Sequence, residues 1–141
     1  MVVVILGILG VAGSAYLGSY QKNLNLEKDA RQITSYLELA RSRSMAKENN
    51  KVWGIHFENP GSGTDFFKIY STDSDYAGGT VSETIYLSSG VEFSDPSSGN
   101  TEDIQPSKLS GEISNTASIA VISGSTTKTI TVNKKGMISA D

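Results

Sequence analysis

The chain contains no cysteine, which excludes disulfides, thiolate metal sites and cysteine nucleophiles. An oxidising compartment stays open to it, provided the fold stands without covalent staples. Proline is scarce, with three residues, and none precedes Pro60, so no proline interrupts residues 1–59. Charge of either sign is missing before Lys22. Basic charge is not in excess: 12 Lys and Arg face 15 Asp and Glu, for a net charge of -3. The basic excess of a typical nucleic-acid binder is therefore lacking. Histidine occurs once, at His56. The sequence also lacks a G-x-S-x-G elbow, a Walker loop, a dinucleotide fingerprint and an H-E-x-x-H pair. No catalytic residue, cofactor site or enzyme activity is assigned.

What is present begins with MVVVILGILGVAGSAYLGSY. Val2, Val3, Val4, Ile5, Leu6, Ile8, Leu9, Val11 and Leu17 make residues 1–21 apolar on all sides of a helix. About 20 residues at ~1.5 Å rise span a bilayer core of about 30 Å. A secretory signal is one reading, with Gly13-Ser14-Ala15 as a cleavage site, but a basic n-region in front is missing. A buried helix of a soluble domain is another, although a small domain cannot cover it on every side. The third, a membrane helix retained on the mature protein, is the one the segment favours. Glycines at 7, 10, 13 and 18 suit close helix–helix approach.

The pattern then changes. Leu26, Ala30, Ile33, Leu37, Ala40 and Ser44 recur at spacings of 4, 3, 4, 3 and 4, one stripe of a helix. Glu27, Lys28, Asp29, Arg31, Glu38, Arg41 and Arg43 occupy the wet face between them. One helix from residue 2 to about residue 48 is expected, roughly 70 Å long. It should end near Glu48-Asn49-Asn50, where Asn takes a left-handed cap.

From Lys51 the period becomes two. Trp53, Ile55 and Phe57 form the inward face of a strand, against which the helix stripe should pack. His56 should point outward or to a sheet edge. Phe66 to Ser71 reads as the return strand, and Val81, Glu83, Ile85 and Leu87 as one face of a third. Residues 94–116 read as a long polar stretch, and 117–123 with 128–133 as a hairpin around Gly124-Ser125. The expected class is α+β, a long N-terminal helix with an apolar and then an amphipathic half, packed on an antiparallel β-sheet domain. Residues 1–21 are expected to form the membrane half of the helix, and residues 22–141 the globular domain, with helix over 22–50 and strands over 51–141.

Two polar clusters invite a ligand. Asp73 and Asp75, ahead of Gly78-Gly79, offer oxygens to calcium, yet the spacing and terminal Glu of an EF-hand loop are missing, and a short acidic turn is the simpler reading. Lys134 and Lys135 could meet DNA phosphate, but two lysines on an acidic chain read first as a solvated turn.

The opening segment MVVVILGILGVA followed by LEKDARQITSYLELARSRSMAKENN resembles the type IV pilin and pseudopilin superfamily. The strand-rich remainder and the tail TKTITVNKKGMIS resemble H-type minor pseudopilins and FimT-type minor pilins. The resemblance implies that the chain starts a few residues inside the mature protein, so the leader, its cleavage site and the acidic residue near the mature N-terminus are not among these residues. It implies a structural subunit, of the minor kind, of a type IV pilus-like filament or type II secretion pseudopilus. The partners would be other pilin or pseudopilin subunits, and before assembly the bacterial inner membrane, with the domain extracytoplasmic. DNA uptake is the alternative within the family. It is weakened because this tail has Lys134 and Lys135, lacks Arg and ends in Asp141. A membrane-anchored extracytoplasmic binding domain is the alternative outside the family.

Overall fold

The computed structural model describes the backbone from Val2 and the side chains of residues 17–141. The chain is α+β: one helix packed on two antiparallel sheets. Helix α1 runs Val2–Met45 without a break, about 66 Å at 1.5 Å per residue. It stops three residues before the expected point. Lys47 takes φ 51° and Asn49 and Asn50 take φ 57° and 59°, so the left-handed exit is built from three residues around the 3-10 turn Glu48–Asn50.

Strands β1 (Val52–Glu58), β2 (Phe66–Thr72), β3 (Thr80–Tyr86) and β5 (Thr101–Ile104) form one sheet in the order β3-β2-β1-β5. Strands β4 (Glu92–Asp95), β6 (Ala117–Ser123), β7 (Thr126–Val132) and β8 (Ile138–Ala140) form the second, in the order β4-β6-β7-β8. A single sheet was the expectation. The segment after β4 carries the chain from the second sheet back to the first, so the two edges are built from neighbouring residues. Asn59 holds this crossing. Its Nδ2 donates to Phe93 O (3.0 Å) and Pro96 O (3.1 Å), while its backbone pairs with Gly99 and Asn100.

The core lies where α1 meets both sheets. Leu26, Ala30, Ile33, Leu37 and Ala40 pack in one buried cluster with Trp53, Ile55 and Phe57 of β1 and with Ile119, Val121, Ile130 and Val132 of β6 and β7. Burying side chains of this size contributes about 1.5–3 kcal/mol each.

Two stretches of the sequence take a form that their pattern did not give. Residues 94–116, read as a long polar stretch, are partly structured. They include the end of β4 and all of β5, and Leu109 N and Ile113 N donate to Ser44 O and Lys134 O. The polarity is explained by β5 itself, where Ile104 is the buried residue and Asp103 faces His56 across the ladder. Nor do Val81 and Glu83 share a face. Glu83 pairs with Ile69 but Val81 pairs with Tyr70, which leaves Ser82 as a bulge and turns Val81 to the side away from α1.

Candidate functional site

The feature that the core does not explain is the stem of α1. Every residue from 17 to 24 is exposed, and burial begins at Leu26. Leu17 is 67% exposed, Tyr20 58% and Leu24 48%. Their spacing of three and four puts them along one side of α1, away from the buried stripe. The domain grips the helix just past this stem. Asn25 Nδ2 donates to Ser89 O, and the Asp29 carboxylate accepts from Ser88 N (2.7 Å) and Ser88 Oγ (2.9 Å). Asp29 had been read as part of the wet face, yet it is 1% exposed. The backbone N–H of Ser88 gives the carboxylate its reason to be buried. Glu27 does stay on the surface, where its hydrogen bond from Arg31 and the nearby Lys128 ammonium hold its carboxyl below the usual range.

Val2, Val3, Val4, Ile5, Leu6, Ile8, Leu9 and Val11 have side chains outside the described residues. Among the described residues, no helix is long and apolar enough to cross a membrane.

At the other end of α1 a basic surface collects from four parts of the chain. Arg41 Nη2 donates to Lys135 O (3.3 Å) and Lys108 Nζ to Asn50 O (2.6 Å). Gly136 makes this closeness possible: at φ 74° it lies against the Gly111 backbone and the Arg41 guanidinium, with no room for a Cβ. Lys134 and Lys135, read from the sequence as an isolated pair, are exposed and share this end with Arg41, Lys47 and Lys108. Arg43 and Lys51 are bound to Glu48 and Asp73.

The calcium candidates each have a partner within the chain. Asp73 Oδ2 lies 2.7 Å from Lys51 Nζ, whose hydrogen bond lowers the Asp73 pKa, and Asp75 Oδ1 accepts from Gly78 N. Among the described residues no three His, Asp or Glu side chains gather as metal ligands.

His56 faces away from α1, as expected, but it is 6% exposed rather than open to water. Asp103 meets its Nδ1 at 2.8 Å, and the ring of Tyr76 stacks on it at 3.7 Å. Tyr70 lies on the same face, over Gly54, and donates to Gln105 Oε1. Burial raises the Tyr70 pKa well above the usual phenol value. Lys68 is partly buried; burial opposes its charge, but hydrogen bonds to Tyr76 and Glu58 outweigh it and raise its pKa. Every polar tip in this layer thus has a partner, as in a second small core. Compared in turn with family models, with curated proteins and with solved structures, the chain finds no match.

Proposed function

We propose that this chain is a structural subunit, of the minor kind, of a type IV pilus-like filament or type II secretion pseudopilus. One observation carries the reading: α1 leaves its own domain as an exposed stem bearing Leu17, Tyr20 and Leu24, and the sequence ahead of that stem is apolar throughout. An exposed apolar rod calls for a second phase to cover it. In this reading the apolar half of α1 first sits in the bacterial inner membrane with the domain outside the cytoplasm. It then leaves lipid for a bundle of like helices, where its surface again stays out of water. The two sheets face outward and carry no chemistry.

The test uses the full chain purified in detergent. On detergent removal the wild type should sediment as filaments visible by electron microscopy. The double variant Leu17→Asp with Leu24→Asp should remain dispersed while its domain melts at the wild-type temperature, since both positions are exposed. Assembly unaffected by both carboxylates would overturn the reading.

A further inference from the structure

Three large apolar side chains that the fold leaves exposed stand together at the basic end of the domain: Met45 (41%), Leu109 (61%) and Met137 (61%). Met45 Sδ and the Arg41 guanidinium lie over Gly111, and Gly136, which precedes Met137, rests on the Gly111 backbone. Leu109 N donates to Ser44 O, which sets its loop beside Met45. That loop is closed and tied down. Ser107 N donates to Glu112 O, Gly111 N to Ser107 O, and Lys108 Nζ to Asn50 O. Leu109 takes φ 68°, a left-handed conformation that a bulky side chain rarely adopts. The fold thus holds a large apolar side chain outward at a cost in backbone strain, as functional sites do. Beside Met45 a concavity of about 450 Å³ opens along Glu38, Arg41, Ser42 and Ala46. Arg41, Lys47, Lys108, Lys134 and Lys135 ring the patch, and none has a carboxylate partner among the described residues. The carboxylates beside them that lack a cationic partner are Glu38 and Glu112. Cations therefore prevail here on a chain that is acidic as a whole.

We propose that this end of the domain binds an acidic segment of a different protein, one that carries a large apolar side chain between its carboxylates. The proposal stands apart from the filament reading, since it uses neither the stem nor a contact between copies. An apolar centre ringed by polar and charged groups is the anatomy of a protein interface. Exposed apolar patches of this kind mark sites of interaction. Methionine suits the centre, because its unbranched thioether adapts to an irregular partner. The apolar side chain of the segment packs on Met45, Leu109 and Met137, and its carboxylates meet the lysines. Duplex DNA and an anionic lipid surface are the competing occupants. Both spread their charge evenly, so Glu38 and Glu112 would meet phosphate along with the lysines. A peptide sets its carboxylates against the lysines alone, which makes it the better match.

The test is fluorescence anisotropy with the full chain purified in an uncharged detergent. The probe is a short labelled peptide of Asp and Glu around a central Phe. Leu109→Ser should weaken its binding at least about tenfold, and so should replacing the Phe of the peptide by Ser. Lys134→Glu with Lys135→Glu should weaken it as much at low salt, and added salt should weaken the wild type. Leu109→Gly relieves the left-handed backbone and removes the side chain. It should melt near the wild-type temperature yet bind as weakly as Leu109→Ser, which separates binding from folding. A peptide bound equally by wild type and Leu109→Ser, or by neither, overturns the proposal. So does a Leu109→Gly variant that melts well below wild type, which would make Leu109 a packing residue. Tighter binding to a DNA duplex or to phosphatidylglycerol vesicles than to the peptide, lost with the lysine pair, overturns it in favour of that polyanion.

Discussion

Ser44 closes the strand ladder on Trp53 where β5 runs out. Its Oγ accepts from Trp53 N at 2.8 Å and donates to Trp53 O at 3.0 Å. The ladder of β1 with β5 ends at the pair Ile55 and Ile104, and two residues further the position opposite Trp53 falls to Pro106, which has no N–H to give. A hydroxyl from α1 supplies both donor and acceptor in place of the missing strand. Ser44→Ala leaves two backbone groups of Trp53 buried without partners. Chemical denaturation should show a loss of about 2–4 kcal/mol, whereas Ser42→Ala, exposed one turn end away, should leave the midpoint where it was. Equal midpoints for both variants would show that water replaces the hydroxyl.

Leu37 and Glu38 are neighbours on opposite faces of α1; the first is 2% exposed and the second open to solvent. Leu37→Ala should cost about 2–5 kcal/mol through the cavity it leaves. Glu38→Ala should stay within about 0.5 kcal/mol. Urea midpoints measured side by side decide whether this face of α1 carries the packing energy.

Two glycines with left-handed backbones separate strain from collision. Gly124, at φ 61°, has open space around its Cα, so Gly124→Ala should cost about 1 kcal/mol for the backbone alone. Gly136, at φ 74°, has the Gly111 carbonyl and Arg41 in the way. Gly136→Ala should cost about 3 kcal/mol or more and loosen the whole basic end. Thermal melts of the two variants that coincide would show that the 107–111 loop gives way.

The Asp65 carboxyl accepts from Phe93 N at 2.6 Å, and burial raises its pKa in the folded protein. A group raised on folding contributes stability that is full below its unfolded pKa and is lost as pH rises through the folded value. Asp65→Asn keeps an acceptor for Phe93 and removes the ionisation. It should match the wild type in acid and exceed it at neutral pH. Denaturation midpoints at the two pH values test this, and a variant less stable than wild type at neutral pH would reverse the sign.

Helix α1 and strand β1 were legible because their apolar residues follow one period each, 3.6 and then two, over long stretches. The same logic could not find β5, whose ladder comes from β1 and whose buried side chain is Ile104. Asp29 looked like surface because the partner that buries it, Ser88, lies 59 residues away. The cover over His56 comes from Asp103 and from Tyr76; the turn around Tyr76 was legible, but nothing local aims either side chain at His56. Lys134 and Lys135 read as two isolated charges because Arg41, which joins them to the basic end, is 94 residues from Lys135. Contacts set by topology rather than period are invisible in a single sequence.

The stem also determines how the molecule comes apart. Lys22 lies on bare helix, while the first grip of the domain is at Asn25 and the first buried side chain at Leu26. Trypsin acting after Lys22 should therefore release a domain that keeps its whole core, its Asp29 latch and its melting temperature. The stem has no such support. Most helical stability in proteins comes from packing of one face, which the released stem would no longer have from the domain. The junction at residues 22–25 is a seam between a helix held by its own core and a helix that the described part of the domain leaves bare.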